Sequence, residues 1–296
     1  MPDYRVLLPL DGSRYAEHAL AFLSAMQHFG EVHVELLSVL DDMEFPYTEP
    51  SSEDQERERN LLATYLHEIG QDVTQHLGMT VTTEVLHGNP SEVIVEKSRR
   101  LDMDAIMIAT HGRSGATRWR RGSVADKVVR TSHVPVFIVG PNAMEQGAWL
   151  ETEAAPPFSR ILVPLDGSET SERALPVAAR FVKTFGSVPH LFQAIKLGDR
   201  FDVVPGYRQD VLDGFIGLAK QYLTSVQGPA GLPEDTIVNA EIGSPAELLE
   251  AYIVDHDIDL IVMTSHGRGG LSRAALGSIT DRLVGVGPPV LVIREP

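Results

Sequence analysis

The sequence contains no cysteine, which excludes disulfides, thiolate metal sites and cysteine nucleophiles. It has two tryptophans and no apolar run near the ~20 residues that span a bilayer, so no membrane insertion is expected. Positive charge is scarce as well. Lys and Arg number 25 against 41 Asp and Glu, a net charge of -16, and that mean field repels a phosphate backbone, so no nucleic-acid partner is expected. The opening MPDYRVLLPLDGS lacks the basic, apolar and small-residue succession of a secretory signal and reads as the start of a strand. The expected location is cytoplasmic. Three motifs are missing too: the P-loop G-x-x-x-x-G-K-S/T, a G-x-G-x-x-G after the first strand, and the G-x-S-x-G nucleophile elbow. With no evident base, nucleophile or ligand cluster, neither catalytic residues nor metal ligands are expected.

What the sequence does contain is written twice. RVLLPLDGSRYAEHAL returns as RILVPLDGSETSERAL, placing Asp11 and Asp166 155 residues apart. Pro90 and Pro245, Gly112 and Gly267, and Gly122 and Gly277 keep the same spacing of 155. One offset shared by well-separated motifs indicates duplication. Only the first helix breaks step, since Phe29-Gly30 matches Phe185-Gly186 at 156.

Within one copy, RVLLPL, VHVELLSVL, MTVTTEVL, AIMIAT and VPVFIV are short runs rich in Val, Ile and Leu, separated by helix-length patterns such as SRYAEHALAFLSAMQHFG. This alternation predicts an α/β fold: two tandem open parallel-sheet domains with helices on both faces. In DDMEFPYTEPSSEDQERERN, Pro46 and Pro50 delay a helix until the SSEDQ start signal. The Gly, Pro and polar content before Phe158 reads as a linker. The expected division is 1–145, a linker over 146–157, and 158–296.

Ligands of open α/β sheets bind at the carboxyl ends of the strands. Three segments of the first copy reach that edge: Pro9-Leu10-Asp11-Gly12-Ser13, Val39, and the loop from Ala109 to Ser123. In the last, His111-Gly112 and Gly122-Ser123 precede the helical VADKVVR. Glycines let backbone N-H groups approach phosphate oxygens, and a helix N-terminus adds free donors and partial positive charge. Ser123 can cap that helix or bind phosphate; Asp11 can accept from ribose hydroxyls or cap the helix after Ser13. His111 and His266 have no further ligand at metal spacing and read as structural or backbone-contact residues. Arg113, Arg118, Arg120 and Arg121 form either a solvated surface or a phosphate-facing patch, and Trp119 reads as a packing residue.

These motifs resemble the universal stress proteins in their tandem two-domain form, with an adenine nucleotide alpha hydrolase-like fold. The likeness covers nearly the whole chain. Its most specific part is G-x2-G-x9-G-S/T after the fourth strand, matched by Gly112, Gly122, Ser123 and by Gly267, Gly277, Ser278. Ala109 and Thr264 stand where the pattern has its first glycine. The resemblance implies that Asp11 and Asp166 lie near ribose and adenine, and that Val39 and Ile195 offer backbone groups to the base. Pro9, Leu10, Pro164 and Leu165 would line the same pocket. His111-Gly112, His266-Gly267, Gly122-Ser123-Val124 and Gly277-Ser278-Ile279 would wrap ribose and phosphates. The implied ligand is ATP, or AMP or ADP, with Mg2+ held by the phosphates. The implied function is a nucleotide-binding stress-response or regulatory protein with a regulatory protein partner. A slow ATPase or phosphoryl-transfer enzyme and a non-nucleotide scaffold are the alternatives. VPVFIV and PPVLVI would pair as an intramolecular pseudo-dimer, and a homodimer of chains is compatible with the pattern. LSRAALGSIT fits the family pattern more closely than the first copy, where Arg120 and Arg121 replace apolar positions.

Overall fold

Runs of β-branched residues bounded by turn signals bury both faces only when helices cover them, and this accounts for the architecture of each copy. The computed structural model describes residues 4–41, 51–110, 123–141, 158–197, 209–265 and 278–294. Contacts divide the chain into two compact units that meet in sequence at Pro156 and Pro157. The expected linker, 146–157, lies outside the described residues.

In the first unit, β1 (Tyr4–Pro9), β2 (Val32–Leu40), β3 (Thr80–His87), β4 (Ala105–Ala109) and β5 (Val136–Val139) run in the order β3-β2-β1-β4-β5. Each of these neighbours pairs in parallel. In the second, β6 (Arg160–Pro164), β7 (Val188–Ile195), β8 (Ile237–Ile242), β9 (Leu260–Thr264) and β10 (Val290–Ile293) repeat it as β8-β7-β6-β9-β10, again parallel. The chain winds outward from β1 to β3, then returns across the sheet to β4. With right-handed crossovers, that reversal places the first two connections on one face and the next two on the other. The crevice where strand order reverses lies between β1 and β4, and between β6 and β9.

The helices follow local sequence. α2 (Ser52–Leu77) starts where the Ser51 side chain accepts from the Asp54 N-H, after the two prolines, and ends at Gly78. α3 (Pro90–Arg100) and α8 (Pro245–Asp255) each open with proline in the first turn, where a missing N-H costs nothing. α4 (Ser123–Thr131) packs beside α3, and α9 (Ser278–Leu283) beside α8.

The connection after β1 departs from the expected single helix. It is 3-10 over Ala16–Phe22, α over α1 (Leu23–Met26), then 3-10 over Gln27–Phe29. Its counterpart is α5 (Glu169–Glu172) followed by α6 (Ala174–Phe185). A 3-10 turn rises about 2.0 Å per residue against 1.5 Å for the α-helix, so the tighter winding lets the copy that is one residue shorter cover the same span. The step is regained before the second strand: Pro9 pairs with Leu37 and Pro164 with Phe192, both at the original spacing.

One core position is solved differently in the two units. Lys97 of α3, 6% exposed, forms an ion pair with Glu35 of β2 at 2.7 Å and a second with Glu84 of β3. Burial works against the ammonium, but the two carboxylates overcome it and raise the Lys97 pKa. The same positions of the second unit hold His190 and Tyr252, whose Nδ1 and hydroxyl oxygen are 3.0 Å apart. His190 is 2% exposed. Burial, with the His256 and Arg160 charges, pushes its pKa down to about 4.

Candidate functional site

The sharp exit from β1 and from β6 shapes the carboxyl edge of each sheet. Gly12 and Gly167 both have φ of +78°, a conformation that a side chain strains. That turn brings Asp11 Oδ1 to the Ser13 N-H at 2.9 Å, and Asp166 Oδ1 to the Ser168 N-H at 3.0 Å. Ser13 Oγ then accepts from the Ala16 N-H at 3.2 Å, as Ser168 Oγ does from the Ser171 N-H at 3.1 Å. The second turn is stitched further. The Ser168 hydroxyl donates to Asp166 Oδ1 at 2.5 Å, and Ser171 Oγ accepts from the Asp166 N-H at 3.3 Å. Ala16 has no hydroxyl with which to do the same.

The aspartates are thus held by local N-H groups, half-buried at the edge. Pro9 and Pro164 close their strands and are also half-buried. Leu10 and Leu165 are 2% and 3% exposed, so their side chains belong to the core. Their main chains are engaged too: Leu10 N-H donates to Leu37 O, Leu10 O accepts from the Ser38 hydroxyl at 2.6 Å, and Leu165 N-H donates to Phe192 O.

Val39 and Ile195 both reach the edge, but they are not equivalent. Given the pairing of Pro9 with Leu37 and of Pro164 with Phe192, the counterpart of Val39 is Ala194, and that of Ile195 is Leu40. Leu40 O and Ile195 O indeed accept from the matched Gly88 and Gly243 N-H groups. In place of Ser38 the second unit has Gln193, whose Oε1 is buried without a partner among the described residues.

Ala109 and Thr264 end β4 and β9. Ala109 is half-buried, and Thr264 is buried at 6% exposure. The next N-H groups, of Thr110 and Ser265, donate back to Val139 O and Ile293 O. The chain is next described at Ser123 and Ser278, the first residues of α4 and α9. Val124 and Ile279, in those first turns, are half-buried. His111, Gly112, Gly122, His266, Gly267 and Gly277 lie outside the described residues, as do Arg113, Arg118, Trp119, Arg120 and Arg121. The structure therefore brings the aspartate turns, the ends of β2 and β7 and the ends of β4 and β9 to one edge of each sheet. Among the described residues, no group of three or more His, Asp or Glu side chains is placed to hold a metal ion. Nor is any described helix long and apolar enough to cross a membrane.

One pair of residues at this edge was not singled out from the sequence. The Tyr65 hydroxyl, on α2, donates to Glu17 Oε1 at 3.1 Å; the Tyr222 hydroxyl, on α7 (Gln209–Gln227), donates to Glu172 Oε1 at 2.9 Å. Burial raises both phenol pKa values, and the bonded glutamates raise them further. Asp11 and Asp166 add smaller contributions in the same direction, so each phenol lies within electrostatic reach of its aspartate turn. The glutamates keep the spacing of 155, whereas the tyrosines are 157 apart, so a comparison at one fixed offset passes over them.

The sequence profile of the universal stress protein family matches residues 4–140 and 157–294. A universal stress protein of Mycobacterium tuberculosis is 26% identical over 305 residues, an alignment covering 99% of this chain and 98% of that one. Another, from Methanocaldococcus jannaschii, is 34% identical over 86 residues, covering 27% of this chain and 51% of the relative. Among solved structures, a universal stress protein from Archaeoglobus fulgidus superposes with a TM-score of 0.74 at 22% identity, over 99% of this chain and 97% of the other.

Proposed function

The chain belongs to the universal stress protein family, and from that premise we propose that it binds an adenine nucleotide at the carboxyl edge of each sheet and acts as a regulatory protein. The observation that carries this reading is the repeated aspartate turn beside the reversal of strand order, with Gly12 and Gly167 at the same positive φ. A carboxylate fixed by its own backbone is a ready acceptor for ribose hydroxyls. Across the crevice, helix starts at Ser123 and Ser278 direct N-H groups toward the same edge, which suits phosphate.

The donor set fits the group. Asp11 and Asp166 would face the ribose, main-chain groups beyond β2 and β7 the base, and the first turns of α4 and α9 the phosphates. Mg2+ would be held by the phosphates and water, in keeping with its preference for oxygen ligands and retained hydration. Occupancy would be read out through conformation or a protein partner. The Ser171 stitch and Thr264 make the second site chemically different from the first, so the two are expected to differ in affinity.

The test is a thermal shift and equilibrium dialysis of the full chain with ATP and Mg2+. At a hundredfold excess over Kd, ligation stabilises by about 2.7 kcal/mol. No shift and no bound adenine would remove the nucleotide reading.

A further inference from the structure

The tyrosine and glutamate pairs occupy one place in both units, although the chain between them differs in length. Glu17 and Glu172 lie in the first turns after the aspartate turns, on the connection leaving β1 and β6. Tyr65 and Tyr222 lie on the helices that follow the second strands. Between glutamate and tyrosine the second unit has two more residues than the first, yet both hydroxyls reach the matching carboxylate. Phenylalanine would fill the same volume, so packing alone does not call for the hydroxyl. A hydrogen bond to a carboxylate, half withdrawn from water, is among the stronger and more directional ones available.

We infer that Tyr65 and Tyr222 are positioning residues, each fixing the aspartate turn beside it by clasping the first turn of the helix that follows. The turn is then held from two sides. Inside, Asp11 and Ser13, or Asp166, Ser168 and Ser171, bond to local N-H groups. Outside, the phenol ties the glutamate to α2 or α7. Among the described residues, the first turn lacks the bond that the Ser171 hydroxyl accepts from the Asp166 N-H in the second, because Ala16 stands in its place, and it therefore depends more on its clasp. The effect on a ligand rests on the proposal that these turns hold the nucleotide; the effect on the turns does not.

The experiment uses the full chain carrying Tyr65→Phe, Tyr222→Phe or both, with Glu17→Gln and Glu17→Leu as partners. Amide exchange is followed without ligand over residues 10–22 and 165–175, and ATP affinity is measured by dialysis with Mg2+. Loss of one charge-assisted bond raises local opening by about tenfold, so Tyr65→Phe is expected to speed exchange over 10–22 by that factor and to weaken ATP binding. A smaller change is expected over 165–175 in Tyr222→Phe. Glu17→Gln keeps an acceptor and retains most of the protection, whereas Glu17→Leu behaves like Tyr65→Phe. Unchanged exchange in both phenylalanine variants overturns the inference, whereas faster exchange with unaltered ATP affinity upholds the clasp and overturns the placement of the nucleotide on these turns. Faster exchange in a protein whose wild type binds no ATP leaves the clasp standing and removes the nucleotide reading instead.

Discussion

Lowering the pH from 7 to 5 destabilises the second unit through His190. The imidazole is 2% exposed, its Nδ1 is engaged by Tyr252, and its Nε2 is buried without a partner among the described residues. A charged ring there would be desolvated and would face the His256 and Arg160 charges, which is why its pKa falls from 6.5 to about 4. The unfolded chain therefore binds more protons than the folded one between these values, and stability falls as the pH falls through that window. Integrating from pH 7 to pH 5 gives a loss of about 2 kcal/mol from this one group, with a ceiling of about 3 kcal/mol at lower pH. Asp259 works in the opposite direction, because burial raises its pKa although the Ser159 and Arg160 N-H groups bond to it. The bare pH slope of the protein is thus a mixture, and the quantity to read is a difference between variants. His190→Gln cannot titrate and keeps a polar group beside Tyr252. Urea unfolding of both proteins at pH 7 and pH 5, resolved by amide exchange of peptides from 158–197 and 209–265, should show the wild type losing about 2 kcal/mol more than the variant. Equal losses would refute the reasoning.

The corresponding position of the first unit has the reverse sign. The raised Lys97 pKa contributes stability that is present below pH 10.5 and lost as the pH rises beyond it, so alkaline unfolding should begin in the first unit and be advanced less in a Lys97→Met variant. Lys97→Met alone leaves Glu35 buried without its cation and should cost about 3 kcal/mol. The double variant Glu35→His/Lys97→Tyr, which installs the pair of the second unit, should recover most of that loss in urea denaturation. Gly12→Ala and Gly167→Ala place a Cβ at φ of +78° and should each cost about 1 kcal/mol of unit stability, with weaker ATP binding in the same protein. Ala109→Gly and Thr264→Gly install the first glycine of the motif and should tighten ATP binding; dialysis giving unchanged affinity in both would show that the position does not limit binding.

The parts of this structure that were legible in the sequence are those fixed by short-range pattern. Val32–Leu40 reads as a strand because its run is dense in Val and Leu, and that is the strand observed. Ser51 announces the start of α2 because its oxygen can take an orphan N-H, which it does. The Asp-Gly-Ser turn is visible twice because the residues that make it are adjacent. Less legible were features set by register and by distant partners. Val39 and Ile195 look like counterparts until the pairing of β1 with β2 and of β6 with β7 shows the single-residue slip already regained between Gly30 and the second strand. The leucine in each Pro-Leu-Asp run is buried in the core just beyond the strand end, a matter of tertiary packing that composition does not reveal.

The duplication itself explains why the least legible features matter. At the strand edge the two units keep the same turn, glycine conformation and phenol clasp, through insertions that could have displaced them. Beneath α3 and α8, by contrast, a buried ion pair and a histidine–tyrosine pair occupy one position. A core site needs packing and charge compensation more than particular atoms, and two chemistries occupy it, the second leaving His190 Nε2 without a partner among the described residues. A ligand edge needs particular atoms at particular places. The same aspartate turn kept at both edges, set against the freedom taken deeper in the strands at Glu35 and His190, is the pattern expected if both edges hold the proposed nucleotide.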